Sequence, residues 1–196
     1  MKNRRYLSMI LLNFTALFTL IGCGDMSDKD SSTKSTEDIK VIETVLEKNF
    51  TAPDEVLLSE LYDPDNATII DQNSQESSAS LENSSNGLNQ YLEDKYGDYF
   101  TDYGYEKFFT TTGVGLNYSV EADYAGYSIV TDEVSVVQDE DKPERYQFEV
   151  TVTYTDTNKD NNTSTINGRV EMKDEKIDSL DINDDNGLLQ EMMSSR

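Results

Sequence analysis

The side chains that carry most enzymatic chemistry are scarce in this chain. Its 196 residues hold no His, no Trp and one Cys, against 39 Asp+Glu and 12 Tyr. Without His there is no Ser-His-Asp or Cys-His nucleophile arrangement and no His-ligated metal. Cys23 alone can form neither an internal disulfide nor a multi-Cys metal site. What remains is carboxylate and phenol chemistry. A buried Asp or Glu beside a Tyr donor could move protons, but among 39 carboxylates no pair stands out, and we expect no enzyme. Asp156, Asn158 and Asp160 copy the first spacings of a calcium loop, as do Asp181, Asn183 and Asp185. Position six is Asn161 or Asn186 instead of Gly, and position twelve is Asn167 or Met192 instead of Glu. Turns use Asp and Asn for backbone reasons, so we expect no metal and no cofactor. The aromatic run is denser. Residues 91–109 hold eight aromatics, of which Tyr91, Tyr96, Tyr99, Phe100, Tyr103 and Tyr105 are candidates to line a pocket for an apolar or sugar-like ligand. The competing reading is that they are the core of a domain without Trp.

Charge excludes a further class. The formal net charge is −23, so a broad basic footprint on nucleic acid is ruled out. The basic residues are also unevenly placed. Lys2, Arg4 and Arg5 precede a mostly apolar run from Tyr6 to Ile21, too short and too interrupted by Ser8, Asn13, Thr15 and Thr19 to span a bilayer. This is the order of a signal peptide. The run closes on Leu20-Ile21-Gly22-Cys23, which resembles the lipobox of bacterial lipoproteins. The resemblance implies cleavage after residue 22 and a diacylglyceryl, palmitate-type anchor on Cys23. Two acyl chains hold durably where one does not, so the mature protein is expected on the outer face of the bacterial cytoplasmic membrane. Removing the leader leaves 13 basic against 39 acidic residues, a formal −26. That charge favours cationic partners or divalent ions.

The rest of the chain must position whatever site exists. Residues 23–35 are polar and are expected to form a flexible tether, leaving 36–190 as one domain. Thr36 is placed to cap a helix carrying Ile39, Ile42, Val45, Leu46 and Phe50. Thr51, Pro53 and Asp54 are placed to start a second, with Val56, Leu57, Leu58, Leu61 and Tyr62 on its buried side. A third is expected over 86–96, with Gly97 as its C-terminal cap. Residues 113–126 are open to helix or loop. From Tyr127 the chain reads as sheet. Arg145–Thr155 alternates with Tyr146, Phe148, Val150, Val152 and Tyr154 on one face and Thr151, Thr153 and Thr155 on the other. Residues 163–172 and 177–182 follow as strands, the last with a bulge because Ile177 is out of phase with Leu180.

Helices followed by about four antiparallel strands make an α+β domain, with three N-terminal helices on one face of a curved sheet. The element order, the Tyr96-Gly-Asp-Tyr-Phe100 junction and the closing Gly168-Arg-Val-Glu-Met and Ile177-Asp-Ser-Leu-Asp-Ile182 segments resemble the nuclear-transport-factor-2-like, or cystatin-like, cone. That resemblance implies a pocket between sheet and helices and names no chemistry. The expected role is a membrane-anchored binding or interaction module. The alternatives are an enzyme using Asp/Glu and Tyr in such a pocket, or an acidic protein that sequesters cationic peptides.

Overall fold

A computed structural model of the chain describes residues 28–64 and 86–195. The leader, Cys23 and the polar stretch 71–85 lie outside the described residues.

The described residues form the α+β architecture expected. Helices α1 (Asp28–Phe50), α2 (Glu55–Leu61) and α3 (Asn86–Tyr96) come first. A 3₁₀ turn (Gly97–Tyr99), α4 (Asp102–Tyr105), a π-helical turn (Glu106–Thr111) and α5 (Val114–Ala125) follow. Strands β1 (Ser128–Gln138), β2 (Arg145–Thr155), β3 (Asn161–Lys173) and β4 (Lys176–Asp184) then make an antiparallel meander in the order β1-β2-β3-β4, and α6 (Leu188–Ser194) closes the chain. The faces of β2 are as read. Tyr146, Phe148, Val150, Val152 and Tyr154 are buried; on the other face Gln147 and Glu149 are exposed and Thr151, Thr153 and Thr155 are half-buried. Register shifts at Thr131/Glu133 and Glu171/Met172 bend the sheet. The second is the bulge expected in the last strand. Met172 faces Ile177 while Glu171 faces Ser179, so Asp178 is extra and both Ile177 and Leu180 turn inward.

Several boundaries differ from expectation, each for a local reason. Helix α1 begins at Asp28, inside the stretch expected as tether, and Thr36 lies within it rather than capping it. The stripe of Ile42, Val45, Leu46 and Phe50 is fully buried, and once it is packed a helix extends at little cost. Ser35 then donates to Gln138 Oε1 at 3.1 Å and holds the early turns on β1. Only Leu57 and Leu58 of α2 are buried. Val56 and Tyr62, expected on its buried side, are 52% and 46% exposed, because a two-turn helix turns only one narrow stripe inward. Tyr62 packs edge-on against Tyr124 instead. Thr51 does not start α2. Ala52 exchanges two backbone hydrogen bonds with Ile129, so the chain stays extended there. Asp54 becomes the cap, accepting from the Leu57 N–H. Gly97 does not reverse the chain after α3. Phe100 is bridged to Ile177 on β4, and this draws the chain into the 3₁₀ turn. The open stretch 113–126 is helix α5, with Gly113 and Gly126 in the left-handed region at its two ends.

Candidate functional site

The six aromatic candidates are spread from core to surface. Tyr96 and Phe100 are 2% exposed and pack with Phe108 and Phe109 at ring-centroid distances of 4.9 to 6.0 Å. Tyr105 packs on Phe109, Tyr91 and Tyr99 are half-buried, and Tyr103 is 63% exposed. The centre of this group fills the core.

Tyr91 and Tyr99 belong to a polar clasp joining three helices. Asp54 accepts from the Tyr91 hydroxyl and from Lys95, while Lys48 donates to the Lys95 carbonyl and the Tyr99 hydroxyl. Burial pushes the Asp54 carboxyl up, but Lys95, the Leu57 N–H and Tyr91 outweigh it and hold it below its ordinary value. Each charge here is answered inside the fold.

The acidic loops are structural in the same sense. Asp156 Oδ1 accepts from the backbone N–H groups of Asn158 and Asp160 and so closes the β2–β3 turn. Asp181 pairs with Lys107 at 2.8 Å. Asp185 takes the N–H groups of Gly187 and Leu189 at the start of α6 and the Tyr118 hydroxyl. Among the described residues, no group of three Asp, Glu, His or Cys could hold a metal ion.

One carboxylate is different. Asp38, on α1, is 3% exposed, yet its Oδ1 has no hydrogen-bond partner among the described residues. Its Oδ2 accepts from the Tyr146 hydroxyl at 2.9 Å. Gln138 Nε2 donates to the same hydroxyl oxygen and to the Pro143 carbonyl, and Gln138 Oε1 accepts from Ser35. Burial and the neighbouring Asp38 carboxylate push the Tyr146 phenol up to about 12, so near neutrality it stays a donor.

Asp38 lines a pocket of about 380 Å³ at the hairpin end of the sheet. Helix α1 contributes Lys34, Ser35 and Asp38, the end of β1 and the β1–β2 connection contribute Gln138, Pro143 and Glu144, and the end of β3 and the turn into β4 contribute Met172 to Glu175. The Met172 N–H donates to the Glu144 carbonyl at 2.7 Å and ties the two connections together. The tight turn at the mouth has Asp174 at φ 52° and Glu175 at φ 66°. Such turns favour Asn or Gly, and the left-handed region costs other residues roughly 1 kcal/mol each. Here that strain places acidic side chains at the entrance. Asp38, Glu144, Asp174 and Glu175 outnumber Lys34 and Lys173, so the pocket is net acidic.

The comparisons with known proteins do not name a family. No protein-family profile and no curated protein matches the chain. Among solved structures it is similar to the NMR solution structure of the candidate transfer protein TraH from the Gram-positive conjugative plasmid pIP501. The TM-score is 0.42 at 13% identity, covering 76% of this chain and 93% of that one.

The Asp38 pocket was not found from sequence, although a signal was present. Positions 38, 42, 45 and 49 share one helical stripe, and Asp38 and Asn49 interrupt its apolar run. Both are buried, and each has a side-chain atom without a partner among the described residues, Asp38 Oδ1 and Asn49 Nδ2.

Proposed function

We propose that the protein is a lipid-anchored extracytoplasmic binding module on a nuclear-transport-factor-2-like α+β domain. Its pocket at Asp38 captures a cationic group of a peptide or protein partner, which is the sequestration role of an acidic surface protein. One observation carries the reading: a buried carboxylate oxygen without a partner among the described residues, on a side chain that lines a net-acidic pocket. An unpaired buried charge is costly, and a cation supplied from outside offsets that cost. The overall negative charge draws such a partner in, and a diacylglyceryl Cys23 keeps the trap at the membrane.

The Asp38–Tyr146 contact also has the geometry of a proton-transfer pair, which is the enzyme alternative. What favours binding is that the raised phenol stays a donor to Oδ2 near neutrality, while the other carboxylate oxygen has no partner among the described residues.

The test is a calorimetric titration of the full-length protein in detergent with a short peptide containing both lysine and arginine. Affinity should fall with salt and drop at least about tenfold in Asp38→Asn. Salt-sensitive binding that survives in Asp38→Asn would belong to the general acidic surface and would overturn the proposal.

A further inference from the structure

Strand β1 borders the sheet, and most of its outer edge pairs with nothing among the described residues. We infer that this edge, over residues 134–138, takes up an extended segment of a partner protein as a fifth strand. The segment has an uncharged, β-branched centre and a basic residue at each end. The inference does not involve the Asp38 carboxylate.

Which backbone groups face outward follows from the two ends of the strand. Ile129 gives its N–H and its carbonyl to Ala52, so it points away from β2. At the other end the Asp139 N–H goes to the Arg145 carbonyl. Residues of an antiparallel pair alternate between bonded and non-bonded positions. Val137, Ser135 and Glu133 therefore bond β2, opposite Gln147, Glu149 and Thr151. The backbone groups of Val134, Val136 and Gln138 face outward. The register shift at Thr131/Glu133 reconciles the two ends, because one extra residue turns both Ile129 and Val134 away from β2. Ala52 fills one place in the lane of a fifth strand. On the side toward Val134 the chain is already helix α1, which ends at Phe50, and it pairs no further. The β4 edge differs: Phe100 is bridged to Ile177, and the Thr101 N–H takes the Ile177 carbonyl.

Sheet edges are commonly guarded by charge and by bulges. Here the bulge, Asp132 and Glu133 guard one end, and Asp139, Glu140 and Asp141 the other. The five residues between them, Val134-Ser-Val-Val-Gln138, carry no charge, and Val137 is 63% exposed. The same placement decides between occupants. A second copy pairing these five residues antiparallel about Val136 would set Glu133 opposite Asp139 and Asp132 opposite Glu140. Like charges directly opposite are destabilising. A segment running from Glu133 to Asp139 with lysine or arginine at its ends answers those carboxylates instead. Its main chain supplies the hydrogen bonds, and β-branched residues suit its extended centre.

The probe is a blocked peptide, Lys-Thr-Val-Thr-Val-Thr-Lys, added at low salt to the full-length protein in detergent and read by NMR amide exchange. In the free protein the amides of Val134, Val136 and Gln138 should exchange fast and those of Ser135 and Val137 slowly. With peptide bound, the first three should slow by at least about tenfold. Val136→Pro removes one outward donor where an edge strand tolerates proline, and it should bind the peptide at least about tenfold more weakly. The same peptide with its five central amides N-methylated keeps its charge and should not bind; this control decides if Val136→Pro does not fold. Protection should persist in Asp38→Asn, which separates this edge from the cation pocket. Four results would overturn the assignment: peptide bound without slowing of those three amides, equal binding of the N-methylated peptide, loss of the protection in Asp38→Asn, or the same slowing produced by raising the protein concentration alone.

Discussion

Replacing Asp38 with Asn separates a binding carboxylate from a structural one. Asn keeps a carbonyl oxygen where Oδ2 accepts the Tyr146 hydroxyl at 2.9 Å. The bond loses its charge assistance, a cost of about 1 kcal/mol. In exchange the variant no longer buries an unpaired charge. The Asn amide that takes the place of Oδ1 is itself unsatisfied, at about 1–3 kcal/mol, but a charge in that position costs more. The two changes oppose each other, so the free energy of unfolding should move by less than about 1 kcal/mol. For a domain of this size that is a midpoint shift of roughly 2–4 °C. The assay is urea unfolding followed by circular dichroism, read at constant slope. Near-neutral stability together with lost binding is the expected outcome. If Asp38 instead paired with Lys34 or Lys173 in solution, Asn would break a buried ion pair and cost about 3–5 kcal/mol. A loss of that size would refute the account.

Further outcomes follow from the same structure. Glu175→Gly relieves a left-handed residue at φ 66°; it should stabilise by about 0.5–1 kcal/mol in thermal unfolding and weaken cation binding at the mouth. Phe148→Ala, at a site 3% exposed in mid-β2, should cost about 3–5 kcal/mol in urea, because the ring lies where a Cβ on Gly168 would meet it at 2.6 Å. Burial pushes Tyr105 and Tyr146 up to about 12 and Tyr91, Tyr96 and Tyr118 higher still. Their stabilisation is complete below about pH 10 and is lost as pH rises through the folded values. Phenolate absorbance should therefore appear in two steps, the later one coinciding with unfolding, and one step near pH 10 would contradict the burial. Cys23→Ala should leave an unprocessed precursor without acyl chains, read by intact mass; equal processing of both forms would remove the lipid anchor.

The strands were legible because their period is strict. Tyr146 to Tyr154 alternates without interruption, and the bounds of β2 match it at both ends. The bulge near Ile177 was legible for the same reason, as a break in phase. Helix ends were less so. Thr51 has the chemistry of a cap, but the pairing of Ala52 with Ile129 decides where α2 begins, and that contact joins residues distant in sequence. Residues 113–126 carry three glycines, and composition does not say that two of them sit at helix ends and only Gly115 within the helix. The pocket was hidden by abundance. One carboxylate among 39 becomes distinctive only once α1 is laid against β2 and Tyr146 reaches one of its two oxygens. Asp38 interrupts an apolar stripe, and that was the available clue.

The central claim is that a cation from outside the fold completes Asp38. It is tested most directly by a crystal structure of the protein with a bound lysine-containing peptide, solved at a resolution that shows the ammonium nitrogen. The account predicts that nitrogen about 2.7–2.9 Å from Asp38 Oδ1, with the Tyr146 bond to Oδ2 kept. Lys34 or Lys173 folded onto Oδ1, with the peptide bound elsewhere on the acidic surface, would contradict it.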